Sequence, residues 1–303
     1  LILPSGGAMV ILVDRTMRAS AIADEQRASH DDAAILAASL TSELDKFSLL
    51  PLALAKDPQV EALAAGYSSE TQTLDYRLQT LATQSGAAAI YVMNRTGQTL
   101  AASNWDMPTS FVGANYAFRQ YFREARRSGT ATQFALGTVS RKPGLYIAAR
   151  IGPDSAPTGV VAVKVEFDHT EANWRQATPG VYVTGADGLV LLASREDWRF
   201  HLDPSAVTAS RDTVADLRQF GRRSCPALAP RLAGLEEEVV ALPVAQGRTN
   251  IAPEGWALHL ILDPGPRVAA AIATGRLALA LLFGLLLVLA LASILLRRRR
   301  PAH

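Results

Sequence analysis

Hydrophobic and polar residues follow two different periods along this chain, one helical and one typical of strands. From about Thr16 to Leu50 there is no Pro or Gly, and apolar residues recur every three or four positions. That spacing predicts a long amphipathic helix. Pro51 is expected to interrupt it, and Asp57 and Pro58 to begin a second short helix that ends near Gly66. The apolar stripe, which faces either a second copy of the chain or the chain's own following domain, consists of Ile35, Leu36, Leu40, Leu44 and Phe47.

The period changes to two at about Ala87, and this change predicts strands. The segment AAAIYVMNRTGQTLAASNW predicts a strand, a tight turn at Asn94 to Gly97 and a second strand. Antiparallel strands with helices on one side of the sheet are typical of an α+β domain. The further predicted elements are a short helix near Tyr116 to Arg127, a strand around Gln133 to Ser140, a turn at Lys142-Pro143-Gly144, and strands from Leu145 to Ile151 and from Gly159 to Phe167.

An internal repeat follows 91 residues after the first hairpin. YVMNRTGQTLAAS (Tyr91 to Ser103) is echoed by YVTGADGLVLLAS (Tyr182 to Ser194), with matches at Tyr, Val, Gly, Leu, Ala and Ser. Each copy places Gly where a hairpin turn needs a permissive backbone. The spacing predicts two domains of one fold in tandem, the alternative being a chance match of two hairpins. The second copy, about 175 to 262, is expected to end in a strand from Trp256 to Leu262.

One stretch has the length and composition of a membrane-spanning helix. Leu277 to Leu296 are twenty uncharged residues, followed by four arginines, Arg297 to Arg300. Such a stretch crosses a hydrocarbon core of about 30 Å, and the arginines predict that its C-terminal end is cytoplasmic. Residues before about 270 are then expected outside the cytoplasm, with Asp263-Pro264-Gly265-Pro266 breaking the chain before the helix.

The first residues are also apolar, but Leu1 to Val13 are too few to span a membrane. We interpret them as the tail of a first transmembrane helix, which makes the chain a fragment of something larger. The alternative is the core of a signal peptide. The expected organisation is a transmembrane tail (1–13), a stalk helix with a short second helix (14–66), a membrane-distal domain (67–170), a membrane-proximal domain (171–265), a transmembrane helix (272–296) and a cytoplasmic basic tail (297–303).

Composition excludes several classes of function. The net charge of +2 is close to neutral and the basic residues form one terminal run, so nucleic acid is not an expected partner. Cys225 is the only cysteine, which excludes intrachain disulfides and multi-cysteine metal sites, and we expect it to be structural or incidental. No catalytic motif is present, and no catalytic or metal-binding residue is predicted. The five histidines, expected at the surface or in packing, are His30, His169, His201, His259 and His303.

Candidate binding chemistry lies in the aromatic segment SNWDMPTSFVGANYAFRQYF, Ser103 to Phe122. It is too polar for a buried strand and too aromatic for a solvated linker, and such loops line pockets. Arg119 lies inside it. Further on, alternation along Gly159 to Phe167 sends Lys164 to the same face as Val160, Ala162 and Glu166. Either cation alone is typical of a solvated surface residue, so the prediction depends on whether the two converge.

The same segments resemble a known family. The aromatic segment, the following FALGTVSRKPGLYIAARI and GVVAVKVEFD, and the earlier LLPLALAKDPQVEALAAG are similar to the periplasmic region of C4-dicarboxylate sensor histidine kinases of the DctB type. The resemblance is specific from about Leu44 to Asp168 and looser up to the membrane helix. It implies an α+β fold in which a long N-terminal helix carries two tandem PAS-like (double Cache) domains. Gln120 departs from the Pro that this family commonly has after the Arg.

The resemblance also implies a ligand site in the membrane-distal domain. Tyr116 and Arg119 would bind one carboxylate of succinate, fumarate or malate, and Lys164 would bind the other with help from Thr138 and Ser140. A dianion taken from water needs a counter-charge at each end and hydroxyl donors for its remaining lone pairs, so this set is chemically consistent. Further candidates are Ser110, Tyr121 and Tyr146.

Three functions follow as hypotheses. The first is the sensor region of a two-component histidine kinase in a bacterial inner membrane, with residues 14–270 periplasmic. It would be a homodimer, have a response regulator as cytoplasmic partner, and need no cofactor in this segment, since ATP belongs to the kinase domain. The second is a sensor of amino acids, for example in a chemoreceptor, where Asp168 or Asp106 would pair with the ligand's ammonium. The third is a membrane-anchored structural domain without a small ligand.

Overall fold

The computed structural model describes residues 3–177, 180–203, 226–228, 238–244, 254–262 and 265–298. Cys225, Asp263, Pro264 and residues 299–303 of the basic tail, all named above, lie outside these ranges. The chain divides into two units. One contains the N-terminal part of α1, up to Asp32, and the C-terminal helix. The other contains the rest of α1, from Ala33, and most of both sheets.

The first unit pairs two long helices in antiparallel order. Helix α1 (Leu3–Lys46) contributes its first part and α7 (Gly265–Arg298) its N-terminal half. Arg276 donates to Asp14 through Nε at 3.0 Å and Nη2 at 2.6 Å, and Arg267 forms an ion pair with Glu25. A Cβ at Gly275 would lie 2.7 Å from Met17, so glycine permits the close approach of the two helices. The helix from Gly265 to Leu296 is the one in the described part of the chain that is long and apolar enough to cross a membrane.

Two predicted helix breaks fall at different places. Helix α1 ends at Lys46, before the predicted Leu50, and Pro51 lies within the first turn of α2 (Leu49–Ala55). Gly265 and Pro266 likewise begin α7 and do not interrupt the chain. The physical reason is the same at both sites. The N–H groups of a first turn have no intrahelical acceptor, so a proline that lacks this group is tolerated there.

The next helix of the second unit is bounded by capping residues that the sequence supplies. Helix α3 (Pro58–Ala65) begins at Asp57, whose carboxylate accepts from Gln59 N at 3.0 Å, and ends at Gly66 in the left-handed conformation. Helix α4 (Gln72–Ser85) follows. Leu40 and Leu44 of α1 are buried, as is Phe47 just after it, whereas Ile35 is 67% exposed. The stripe therefore packs on the chain's own domain only in its C-terminal part.

The first sheet has five strands in the order β2-β1-β5-β4-β3, and every neighbouring pair is antiparallel. The aromatic segment and helix α5 (Gln120–Ser128) pack on one face, where Tyr91, Tyr146 and Ala162 form a common core with Tyr121 and Phe122. Helices α2 to α4 contact the same sheet, and the alternate residues of β1 and β5 are buried too. Helical structure therefore covers both faces, so the expectation of helices on one side is wrong. The strands are β1 (Ala89–Asn94), β2 (Thr99–Ala102), β3 (Thr130–Leu136), β4 (Pro143–Ile151) and β5 (Gly159–Val165).

The second sheet follows helix α6 (Asp168–Ala177) and has the order β7-β6-β9-β8. Its described strands are short, and β6 pairs antiparallel with both β7 and β9. A short 3-10 helix, Glu196–Trp198, follows β7. The strands are β6 (Val181–Thr184), β7 (Val190–Ala193), β8 (Glu238–Pro243) and β9 (Ala257–Leu262).

The two hairpins of the repeat have the same hydrogen bonding. Tyr91 pairs with Ala102, and Tyr182 pairs with Ala193. In each hairpin the register shifts after one further pair, between Val92 and Met93 and between Val183 and Thr184. Ser103 Oγ accepts from Ile90 N at 2.9 Å, and Ser194 Oγ accepts from Val181 N at 3.0 Å. The two hairpins are therefore structurally equivalent in these contacts.

We expect the two serines to contribute equally. Ser103→Ala and Ser194→Ala each leave a buried strand N–H without its hydroxyl acceptor, which should lower the free energy of unfolding by about 1–3 kcal/mol. Urea unfolding of the full chain in detergent measures this, with the exposed Ser69→Ala as control. A cost at only one of the two serines would contradict their structural equivalence.

Candidate functional site

The aromatic segment is fixed on the first sheet by the turn of the first hairpin. Tyr116 N donates to Gly97 O at 2.8 Å, and a Cβ at Gly97 would lie 2.5 Å from Ala117 N. Glycine with positive φ is therefore required at this position, both for the turn and for the crossing segment. Phe111 packs edge-on against Tyr91 at 5.2 Å. These contacts fix the position at which Arg119 enters the domain.

Arg119 is buried with part of its hydrogen-bonding capacity unused. The residue is 3% exposed, and its Nη2 donates to Leu136 O at 2.7 Å. Within the described ranges, Nε and Nη1 have no hydrogen-bond partner although both are buried. The guanidinium lies 5.1 Å from the Phe118 ring centre and 5.8 Å from that of Tyr146. Two buried donors of a cation without an acceptor are costly in a fold, which points to an anion as their partner.

Arg119 directly precedes helix α5, but its side chain makes no hydrogen bond that caps the helix. The first-turn amide of Tyr121 is satisfied instead by Gln133 Oε1 on β3, at 3.2 Å. Gln120 is the first residue of the helix, and its Nε2 donates to Glu124 at 2.8 Å. Since proline is favoured at this helical position but not required, the departure at Gln120 leaves the local structure intact. Gln133 was not among the predicted site residues.

Lys164 is also buried, at 1% exposure, and it has three partners. Its Nζ donates to Ser140 Oγ at 2.8 Å and to Lys142 O at 3.3 Å, and it forms an ion pair with Glu166. Burial lowers the pKa of this ammonium, and the hydrogen bond that it donates to Glu166 opposes that effect. Lys164 is therefore a compensated cation in the core, and the surface location considered from sequence is wrong.

Both cations lie close to the same aromatic ring. Lys164 Nζ is 5.9 Å from the Tyr146 ring centre, and Arg119 Cζ is 5.8 Å from the same centre. The two charged groups cannot be farther apart than the sum of these distances. Both belong to the face of the sheet that the aromatic segment covers, as alternation along β5 predicts.

The loop between β3 and β4 supplies the hydroxyl groups. Gly137 N donates to Lys142 O at 2.9 Å and Arg141 has positive φ, so the turn covers 137–142 and β4 already begins at Pro143, inside the predicted turn. A Cβ at Gly137 would lie 2.2 Å from Ser140 Oγ and 3.2 Å from Tyr146 Oη. Only glycine therefore leaves room for the Ser140 hydroxyl beside Tyr146.

Tyr116 and Thr138 complete this neighbourhood. Burial raises the pKa of the Tyr116 hydroxyl, and interaction with the Thr138 side chain opposes that rise. Burial raises the pKa of Tyr146 as well. Both phenols are therefore neutral at physiological pH and able to donate to an acceptor. All five primary candidates, Tyr116, Arg119, Thr138, Ser140 and Lys164, are linked through the loop 137–142 and Tyr146; their roles toward a ligand stay a prediction.

Two secondary candidates have other partners. The Tyr121 hydroxyl hydrogen-bonds to that of Tyr91 at 2.7 Å, and its ring stacks on Tyr146 at 5.1 Å. Ser110 Oγ accepts from Val112 N at 3.2 Å within its own turn. Tyr121 therefore supports Tyr146 from behind, while Ser110 stabilises the aromatic segment.

The acidic group beside the cations is Glu166. Asp168 pairs with Lys142 at 2.7 Å, and Asp106 accepts from Gln79 at 3.3 Å on the surface. Neither contacts Arg119 or Lys164 among the described contacts, whereas Glu166 pairs with Lys164 directly. Strand alternation already places Glu166 on the same face as Lys164, so the sequence contained the signal.

A separate cavity of about 930 Å³ lies elsewhere in the same domain. It is lined by the turn of the first hairpin, the end of α3 and the β4–β5 loop, at the end of β5 opposite Lys164. Its hydroxyls have local partners, since Thr96 donates to Asn94 and Ser68 accepts from Glu70 N. The cavity is wide and solvated. Arg126 lines it and has a buried Nε without a partner, but this residue is only partly buried. We therefore assign the site to Arg119, which is 3% exposed and has two such nitrogens among the described residues.

Comparison with known proteins gives one long sequence match. No protein-family model matches the chain. The C4-dicarboxylate transport sensor protein DctB of Rhizobium meliloti (strain 1021) is 37% identical over 257 residues, which cover 84% of this chain and 38% of that protein. The chain thus spans well under half the length of this curated relative.

Solved structures share the fold at lower identity. The sensor domain of the V. cholerae histidine kinase DctB matches with a TM-score of 0.65 and 23% identity, over 78% of this chain and 95% of that domain. The ligand-binding domain of the Pseudomonas fluorescens chemoreceptor CtaA, in complex with L-isoleucine, matches with a TM-score of 0.56 and 15% identity, over 84% and 99%. The α+β architecture with a long N-terminal helix is therefore confirmed.

We expect Arg119 to destabilise the free protein. Arg119→Met removes a buried, partly unpaired charge and keeps the side-chain volume, so the free energy of unfolding should rise by about 1–3 kcal/mol in a buffer without carboxylic acids. Urea unfolding of the full chain checks this. The control Arg123→Met, on the exposed side of α5, should change it by less than about 0.5 kcal/mol. A destabilised Arg119→Met protein would show that the guanidinium is satisfied within the fold.

Proposed function

We propose that this chain, which is a sensor region of the DctB type, detects C4-dicarboxylates outside the cytoplasm and signals their presence across a membrane. The observation that carries the proposal is Arg119, a buried guanidinium whose Nε and Nη1 have no partner in the described part of the chain. A carboxylate can accept from either of these nitrogens, alone or together with the second N–H of Nη2 on the same edge of the guanidinium.

The second cation supports a diacid over a monoacid. Lys164 Nζ and Arg119 Cζ lie 5.9 Å and 5.8 Å from the Tyr146 ring centre, so the two charges can meet the two ends of a short dianion. Tyr116, Thr138 and Ser140 add hydroxyls for the remaining lone pairs of the carboxylates. Succinate, fumarate and malate, each with four carbons between and including their carboxyl groups, are the proposed ligands. The site belongs to the proposed membrane-distal domain, 67–170.

The membrane location follows from the C-terminal helix and the charges after it. The segment from Gly265 to Leu296 is long and apolar enough to span, and Arg297 to Arg300 favour a cytoplasmic end. The described sensor domains would then be periplasmic, in a bacterial inner membrane. As in the Rhizobium relative named as a transport sensor, the whole protein would be longer. We propose that it is a two-component histidine kinase, a homodimer whose kinase domain uses ATP and addresses a response regulator.

Amino-acid sensing is the second candidate, and Glu166 is the observation in its favour. A carboxylate beside the site could pair with the ammonium of an amino acid, and the chemoreceptor CtaA shares the fold. Glu166, however, already forms an ion pair with Lys164. If Glu166 paired with the ammonium of an amino acid instead, the buried ammonium of Lys164 would lose its counter-charge. The dicarboxylate is therefore the better supported ligand.

Calorimetric titration of the full chain in lipid nanodiscs with succinate tests the proposal. Arg119→Gln and Lys164→Met should each weaken binding by about 3 kcal/mol, or roughly 100-fold, because each leaves one ligand carboxylate desolvated without its cation. Arg123→Gln, a matched loss of charge four residues further along, on the exposed side of α5, should bind as the unchanged protein does. Binding of L-isoleucine but not of succinate would favour the second candidate, and unchanged affinity in Arg119→Gln would remove Arg119 from the site.

A further inference from the structure

The ammonium of Lys164 has no donor to spare. A lysine has three N–H donors, and Ser140 Oγ, Lys142 O and Glu166 Oε1 accept from Lys164 Nζ. A carboxylate that comes to Lys164 must therefore take the place of one of these acceptors. Arg119 differs in this respect, because two of its nitrogens have no acceptor among the described residues and can donate to a ligand.

Glu166 is the acceptor that a ligand carboxylate replaces most readily. Lys142 O is fixed by the hydrogen bond from Gly137 N that closes the loop, and Ser140 is neutral and does not repel an anion. Glu166 carries the same charge as the arriving carboxylate, so the two would repel each other on one ammonium. Its side chain is 19% exposed, which allows it to move toward water.

A second cation is ready to hold the displaced side chain. Lys142 Nζ lies 3.5 Å from Glu166 Oε2, and it is itself paired with Asp168 at 2.7 Å. Leaving Lys164 therefore does not leave Glu166 without a counter-charge. Glu166 exchanges Lys164 for Lys142 while a ligand carboxylate takes its place on Lys164. The number of carboxylates paired with Lys164 therefore does not change.

We propose that Glu166 is an internal competitor for the ligand: it occupies Lys164 and is displaced toward Lys142 when a diacid brings its second carboxylate to that lysine. The inference rests on the proposed function. Glu166 then contributes to specificity, because a ligand with a second carboxylate can replace it on Lys164 and so offset the free-energy cost of displacing it. A monoacid held at Arg119 alone leaves the Lys164–Glu166 pair in place.

The test compares succinate with butyrate, a four-carbon monoacid, on the full chain in nanodiscs. Glu166→Gln should bind succinate about tenfold more tightly, the effect expected for one partly desolvated ion pair, while the affinity for butyrate stays the same. Lys142→Met should weaken succinate binding several-fold, because the displaced Glu166 loses its second cation. That weakening should disappear in the double variant with Glu166→Gln.

The control Asp154→Asn removes one negative charge from a 91% exposed side chain at the other end of the sheet, and its succinate affinity should stay within about twofold. Equal or weaker succinate binding by Glu166→Gln, or an equal gain for butyrate, would overturn the inference while the proposed function stands. An unsubstituted chain that binds no C4-dicarboxylate would overturn both.

Discussion

The burial of two cations beside one tyrosine ring is the constraint on which the first domain depends. Arg119 and Lys164 are almost completely withdrawn from water, and each requires acceptors that the surrounding chain must supply. Lys164 obtains them from the loop 137–142 and from Glu166. Arg119 obtains only Leu136 O among the described residues. The domain thus carries a local electrostatic cost, of about 1–3 kcal/mol per unpaired buried group, at the place where binding an anion would remove it.

The repeat shows what is specific to this site and what belongs to the fold. Both hairpins share the tyrosine, the glycine turn and the serine that accepts from a strand amide. The second sheet differs from the first around the position that Lys164 has in the first sheet. Tyr182 stacks on His259 and donates to Asp203 at 2.6 Å, and the position equivalent to Lys164, one residue beyond the paired Leu260, is Ile261. The same hairpin is therefore used twice, but with different polar groups in its core.

Local patterns in the sequence predicted much of this architecture. Period-two alternation identified β1, β4 and β5 and placed Lys164 on the correct face, and the glycine spacing identified the repeated hairpin. Errors arose where a residue has two structural uses. Pro51 and Pro266 were interpreted as breaks but lie in first turns, and the turn expected at Lys142-Pro143-Gly144 is already the start of β4. The stripe of α1 was expected to include Ile35, which is exposed, because periodicity does not tell how far a helix extends beyond the domain that it packs against.

The candidate site could be predicted only in part, because its charges come from distant segments. Arg119 and Lys164 were singled out by resemblance and by strand alternation, yet burial, which gives them meaning, depends on how the aromatic segment crosses the hairpin turn at Gly97. Glu166 was assigned to the same face but not to the site, since sequence cannot tell a solvated neighbour from a counter-ion. The contribution of Gln133 to α5 depends on a tertiary contact that leaves no sequence pattern.

A crystal structure of the protein with succinate would test the central claim most directly. The account predicts one carboxylate accepting from Nε or Nη1 of Arg119 and the other within hydrogen-bonding distance of Lys164 Nζ, with the carbon chain along the Tyr146 ring. Succinate bound elsewhere, for example in the cavity beside Arg95 and Arg126, with Arg119 still unpaired, would contradict it.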